Sequence, residues 1–224
     1  MNFCFFYRCL KTQYRDQKFE CRALKNFLLP HDTVLDIGCN KGSYLWTLSR
    51  AVPNGKVIGF EPQPLLFKYL RNQTTSIFLS NVQIEELAIS STSSTARIFL
   101  PNSEQTSPSA SLEENHSETK ANSYIVETVS VDQYCENKSS LENIRAMKID
   151  VEGHELSVVK GACAVIKKNR PLIVCESESR HLPNGDVAEF LDLMHSLDYH
   201  GFFVHPINGL MKLSIFDSEI HQAQ

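Results

Sequence analysis

Three short acidic blocks hold the residues best suited to chemistry. The first is Val34-Leu35-Asp36-Ile37-Gly38-Cys39-Asn40-Lys41-Gly42, an Asp-x-Gly-x-x-x-Gly run. The second is Phe60-Glu61-Pro62, and the third is Lys148-Ile149-Asp150-Val151-Glu152-Gly153-His154-Glu155. Glycines at 38 and 42 allow a tight turn and let a ligand approach without a Cβ clash. Glu61 follows Gly42 at about the offset where an acid hydrogen-bonds ribose in nucleoside-binding parallel sheets. One carboxylate can accept from both ribose hydroxyls. The Gly-x-Gly-x-x-Gly fingerprint, which presses backbone against a pyrophosphate, is absent, as is the Walker A loop. An acid beside the glycine loop suits instead a ligand with an amino group and a positive centre. S-adenosylmethionine (SAM) has both, together with a ribose.

These blocks need strand ends to carry them. Short apolar runs at Thr33–Ile37, Lys56–Phe60, Val82–Ile89, Met147–Val151 and Pro171–Cys175 read as buried strands. Between them, helical spacing predicts helices over residues 14–29, from about 43 to Arg50, and over 63–72, 155–168 and 186–197. Pro30 ends the first of these. Continuous apolar strands alternating with helices mean a parallel sheet covered on both faces. Gly201–Val204 and Leu210–Ile215 flank Asn208-Gly209, a hairpin signal, so an antiparallel pair is expected at the sheet edge. Ile98–Leu100 and Tyr124–Val131 alternate weakly and are expected to pair. Pro101–Ser123 between them is almost entirely polar and reads as either a mobile loop or a lid. Residues 1–30 are expected to form an N-terminal helical segment packed on the core, and 31–224 the main domain. The polar loop 101–123 is then inserted between the third and fourth core strands.

Composition narrows the class. The 224 residues are 42% apolar and 21% charged, the proportions of a globular protein with a self-sufficient core. A net charge of −4 argues against a broad nucleic-acid footprint. Seven cysteines, with no Cys-x-x-Cys pair, point to reduced thiols and a cytoplasmic setting. No apolar run reaches the roughly 20 residues of a membrane span.

With these residues in view, the sequence resembles the class I SAM-dependent methyltransferases, and more narrowly the FkbM family, whose members typically methylate hydroxyl oxygens. The narrower likeness rests on Glu86-Leu87-Ala88-Ile89-Ser90, on Lys-Ile-Asp-Val-Glu-Gly-His-Glu at 148–155, and on Val159-Lys160-Gly161-Ala162 followed by Ile173-Val174-Cys175-Glu176. It covers about Thr33 to Val204. The resemblance implies a Rossmann-like fold with a mostly parallel seven-stranded sheet and an antiparallel edge hairpin. It also implies roles. Asp36 and the backbone from Gly38 through Asn40 to Gly42 hold the methionine portion of SAM. Glu61 binds the ribose, Leu87 and Ala88 flank the adenine, and Asp150 faces the methyl-donor sulfur and the acceptor.

Methyl transfer to a hydroxyl needs positioning and a place for the proton. Asp150 is the first candidate base or orienting group, Glu152 the second, and Glu176 a candidate for acceptor hydroxyls. Each of the last two has an alternative structural reading: Glu152 as a carboxylate near a helix start, Glu176 as a satisfied strand-end acid. His154 could shuttle a proton or be a turn histidine, and His181 lies in a loop on the same side. Asp150, Glu152 and Glu155 do not have the spacing of a metal cage, so no metal is expected. The expected activity is SAM-dependent O-methylation of a small saccharide-like acceptor. The competing readings are an NAD-dependent oxidoreductase and a non-catalytic SAM-binding module.

Overall fold

The computed structural model describes residues 3–76, 79–100, 105–113, 122–138, 141–177, 187–205 and 207–216. The chain starts with α1 (Phe3–Lys11), a π-helical turn (Thr12–Asp16) and α2 (Lys18–Phe27). Then come β1 (Thr33–Ile37), α3 (Leu45–Ala51), β2 (Lys56–Phe60), α4 (Pro64–Ser76), β3 (Val82–Glu85), β4 (Ala88–Ile89), β5 (Ser94–Leu100) and β6 (Asn122–Val129). The rest is α5 (Val131–Asn137), β7 (Ile144–Ile149), α6 (Glu155–Lys160), α7 (Cys163–Asn169), β8 (Leu172–Cys175), α8 (Ala188–Ser196), β9 (Phe202–His205) and β10 (Gly209–Lys212), with a short 3₁₀ turn at Leu213–Ile215.

The central sheet is parallel with strand order β3-β2-β1-β7-β8. Strand order reverses between β1 and β7, the place where open α/β sheets bind ligands. Ile37 pairs with both Phe60 and Ile149, so the carboxyl ends of β1, β2 and β7 are level. Gly38, Glu61 and Asp150, each one residue further on, therefore emerge side by side. Both faces of the sheet are covered, as continuous apolar strands require. Val34, Val57 and Ala146 pack on one face with Phe5, Cys9, Cys21 and Leu24 of α1 and α2. Leu35, Ile58, Met147 and Ile149 pack on the other with α5, α6 and α7.

Several expectations are corrected. The seven strands do not form one sheet: among the described residues five are joined in parallel, and β9 and β10 make a separate antiparallel pair. That hairpin leans on α2, where a Cβ at Gly209 would sit 3.0 Å from the Phe19 ring. The Val82–Ile89 run breaks at Glu86-Leu87, because β3 belongs to the central sheet while β4 joins a second sheet ordered β4-β6-β5. There β5 and β6 pair antiparallel with Ile98 opposite Tyr124. The helix expected over 155–168 is split at Gly161-Ala162. A Cβ at 161 would lie 2.2 Å from the Ser90 carbonyl oxygen, and Asp132 caps the second piece by accepting from the N–H groups of Ala164 and Val165 (2.9 and 2.8 Å). The end of the Tyr124–Val131 run turns into α5, which Ser130 caps by accepting from the Gln133 N–H.

Candidate functional site

The floor of the site is the meeting of two turns. Gly38 has φ +78°, and a Cβ there would lie 1.8 Å from the Asp150 carbonyl oxygen. Only glycine permits that approach. Its N–H and that of Cys39 both donate to the Phe60 carbonyl (3.1 and 3.0 Å), and the Asp150 N–H donates to the Ile37 carbonyl (3.0 Å). These bonds knit the ends of β1, β2 and β7. After Asp150 the backbone turns again through left-handed Glu152 (φ +54°) and Gly153 (φ +101°). Buried Glu155 fixes this turn, its carboxylate accepting from the N–H groups of Val151 and Gly153 (3.2 and 3.1 Å).

A buried charge cluster lies in this floor. Lys148 Nζ is 2.9 Å from Asp150 Oδ2, 3.3 Å from the Gly38 carbonyl and 3.8 Å from Asp36 Oδ1. The ammonium also lies 5.2 Å from the centre of the Tyr44 ring. Burial alone would lower the Lys148 pKa, but Asp150 and Asp36 hold it well above the ordinary lysine range. Asp36 is 1% exposed, and neither of its carboxylate oxygens has a hydrogen-bond partner. Burial pushes its pKa up to about 6, with Lys148 opposing. Glu61 is equally enclosed. Burial raises it to about 7, against hydrogen bonds from the Gln63 and Asn40 N–H groups.

Above this floor lies an open cleft. Of the residues expected from the sequence, it brings together Gly38, Asn40, Glu61, Leu87, Ala88, Asp150 and Glu152. Three do not line it. Asp36 lies beneath the turn. Gly42 faces away, towards Phe5, Leu45 and Leu70, and its carbonyl accepts from the Cys9 thiol. Glu176 is exposed at the end of β8, its N–H donating to the Ile149 carbonyl. His181 lies outside the described residues. His154 does line the cleft, held between Ser90 Oγ at Nε2 (2.9 Å) and Glu113 at Nδ1 (2.6 Å).

The sequence reading missed five contributors. Lys148 could have been found from its i, i+2 spacing to Asp150, which puts both on one side of a strand. Gln63 lines the cleft two residues after Glu61. Pro108, Ala110 and Leu112 form a wall from within the polar 101–123 stretch.

The lining combines the apolar Leu87, Ile98 and Leu112 with Gly38, Asp150 and Glu152. Among the described residues, three carboxylates line the cleft and no Lys or Arg does. Phosphates would find no cation in that lining, whereas a ribose and a sulfonium would find acceptors and negative charge. Among the described residues, no three His, Cys, Asp or Glu side chains are gathered as metal ligands. No described helix is long and apolar enough to cross a membrane.

A profile of the methyltransferase FkbM domain matches residues 36–203. The chain belongs to the FkbM methyltransferase family. It is 25% identical over 193 residues to the 2-O-methyltransferase NoeI of Sinorhizobium fredii, covering 80% of this chain and 78% of NoeI. It is 29% identical over 153 residues to the methyltransferase sdnD of Sordaria araneosa, covering 57% of this chain and 59% of sdnD. Among solved structures, an FkbM methyltransferase of Methylobacillus flagellatus superposes with a TM-score of 0.53 at 16% identity, covering 89% of this chain and 50% of that one. A Streptococcus mutans methyltransferase crystallised with SAH superposes with a TM-score of 0.51 at 14% identity, covering 88% and 93%. The FkbM chain thus spans about half the length of the Methylobacillus protein and about three-fifths of sdnD. The fold is that of the class I methyltransferases, and SAM is the cofactor. The residues present fit it: the cleft lined by Glu61, Asp150 and Glu152, with no Lys or Arg among the described lining residues, matches a positively charged nucleoside.

Proposed function

We propose that this FkbM methyltransferase transfers a methyl group from SAM to a hydroxyl oxygen of a small, polyhydroxylated, saccharide-like acceptor. The observation that carries this reading is Asp150: a carboxylate at the cleft wall, ion-paired at 2.9 Å to a buried lysine and level with the glycine turn and Glu61. The likeness to a protein named a 2-O-methyltransferase supports oxygen as the acceptor atom.

When bound, SAM supplies a methyl group on a sulfonium leaving group, so the protein contributes chiefly position. In this reading the backbone of Gly38 and Asn40 holds the methionine portion, with Asp36 supporting the turn from beneath and Gly42 from behind. Glu61 accepts from the ribose hydroxyls, and Leu87 and Ala88 flank the adenine. Asp150 accepts the hydrogen bond of the acceptor hydroxyl, aims its oxygen along the line of transfer and takes up its proton. Glu152 binds a neighbouring hydroxyl. Glu176 stands outside the cleft and meets only an acceptor that extends beyond it. All seven cysteines are free thiols, which supports residence in a reducing compartment, the cytoplasm.

Labelled SAM and a panel of methyl glycosides test the reading. Label should appear on sugar oxygen. Asp150→Asn should slow transfer about a hundredfold or more, the scale of an acid–base contribution, while SAH affinity stays within about threefold. Glu61→Ala should weaken SAH binding by about thirtyfold or more. Full activity in Asp150→Asn removes Asp150 from the reaction, and label on nitrogen or a phenol alone removes the saccharide assignment.

A further inference from the structure

The run Ser107-Pro108-Ser109-Ala110-Ser111-Leu112-Glu113 alternates polar with apolar or small residues. In the structure, that alternation separates two jobs. Pro108, Ala110 and Leu112 line the cleft. Ser107, Ser111 and Glu113 instead make the tethers. The Gln63 side-chain amide bonds to Ser107 in both directions, Nε2 donating to the Ser107 carbonyl (2.9 Å) and Oε1 accepting from its N–H (3.0 Å). Ser111 exchanges backbone hydrogen bonds with Phe99 (2.8 and 3.1 Å), and its hydroxyl donates to the Glu152 carbonyl (2.6 Å). Glu113 meets His154. Ser107 and Ser111 are 4% and 3% exposed, depths unexpected of a serine in a solvated excursion.

The tethers fix where this segment runs. It starts beside Glu61, through Gln63. It then passes Ala88 and Ile98, against which Ala110 and Leu112 pack. It ends on the turn that follows Asp150. The apolar residues thus face the part of the cleft bounded by Glu61 and Ala88.

We infer that residues 105–113 form the outer wall of the pocket for the adenosine half of SAM, a strap in which Pro108, Ala110 and Leu112 contact the nucleoside and Ser107, Ser111 and Glu113 fasten it to Gln63, β5 and the turn after Asp150. The strap covers what the sheet and Leu87 leave open, and it removes water from the base edge and the ribose together. This rests on the placement of the adenosine against Glu61 and Ala88 given above, and it is independent of the acceptor.

Binding of two probes to the full chain tests it: SAH, and 5′-methylthioadenosine, which keeps the nucleoside and lacks the amino-acid portion. Leu112→Asn and Gln63→Ala should each weaken both probes by a similar factor, about tenfold, as expected for losing one apolar contact or one tether. Affinities within about twofold of the parent, or a loss confined to SAH, would overturn the strap. Glu61→Ala serves as the reference: weakening by Glu61→Ala alone sinks the strap and keeps the adenosine placement, and no weakening by any of the three sinks both. Hydrogen exchange on the unaltered protein gives a second measure free of folding effects. Saturating SAH should slow amide exchange at 105–113, and unchanged exchange there would also overturn the wall.

Discussion

The floor and the outer wall of the cleft are made in opposite ways. The floor places three strand ends level, packs the Gly38 turn against the Asp150 carbonyl with no room for a Cβ, and buries Lys148 between two carboxylates. The wall at 105–113 is a single run of bends and turns fastened by a side-chain amide, a serine hydroxyl and a partly exposed Glu113–His154 hydrogen bond. Geometry in the floor is overdetermined, so one misplaced atom disturbs three strands. In the wall each tether stands alone, and losing one leaves the others. The reacting atoms need the first kind of support; a surface that must admit and release a nucleoside needs the second.

The sharpest way to break this contrast is at Gly38. Gly38→Ala places a Cβ 1.8 Å from a backbone oxygen at φ +78°. Left-handed strain and overpacking together should cost about 3–5 kcal/mol, and thermal unfolding should fall by about 10 °C. A change of under about 2 °C would show that the floor can yield.

The next effect is the pH response of the free protein. Asp36 and Glu61 have folded-state pKa values raised to about 6 and about 7, above those of an unfolded chain. The folded state therefore holds their protons more tightly. Their favourable contribution is complete below about pH 4 and is lost as pH rises through 6 and 7. Each group accounts for a few kcal/mol at most, since a tenfold change in proton affinity is worth about 1.4 kcal/mol. Melting temperature measured without SAM should fall between pH 5 and 8, and Asp36→Asn with Glu61→Gln should flatten that slope. An unchanged slope in the double variant would assign it elsewhere.

The smallest effect belongs to the wall. Glu113→Gln removes the charge from a pair whose acid is about one-third exposed (side chain 31%). His154 draws the Glu113 pKa below the ordinary carboxylate range. A partly exposed pair of this kind is worth up to about 1 kcal/mol. Stability should hardly move and SAH affinity should fall by about threefold or less. A loss as large as that at Gly38 would erase the distinction between floor and wall.

The floor was legible in the sequence because its logic is local. Val34, Leu35 and Ile37, or Val57, Ile58 and Phe60, announce buried strands by their side chains. Gly38 and Glu61 follow at their ends, where strand–turn–helix units place ligands. What escaped depends on contacts far apart in the chain. No breaker separates Ile84 from Ala88; that run divides because β4 pairs with β6, some forty residues on. Gly161 interrupts a helix through its approach to Ser90. Lys148 gains its meaning only opposite Asp36 on the neighbouring strand. The strap was hidden by composition, since seven residues of small polar alternation carry no hydrophobic signal strong enough to stand out from a loop.

Asp36 and Lys148 are directly paired positions of β1 and β7. Sliding β7 past β1 by a single residue would carry the ammonium to the opposite surface of the sheet, among Leu35, Ile37 and Val158. That surface is apolar, so a mispaired intermediate is penalised electrostatically beside the glycine turn. The cluster of Asp36, Lys148 and Asp150 thereby favours the native register of the two strands.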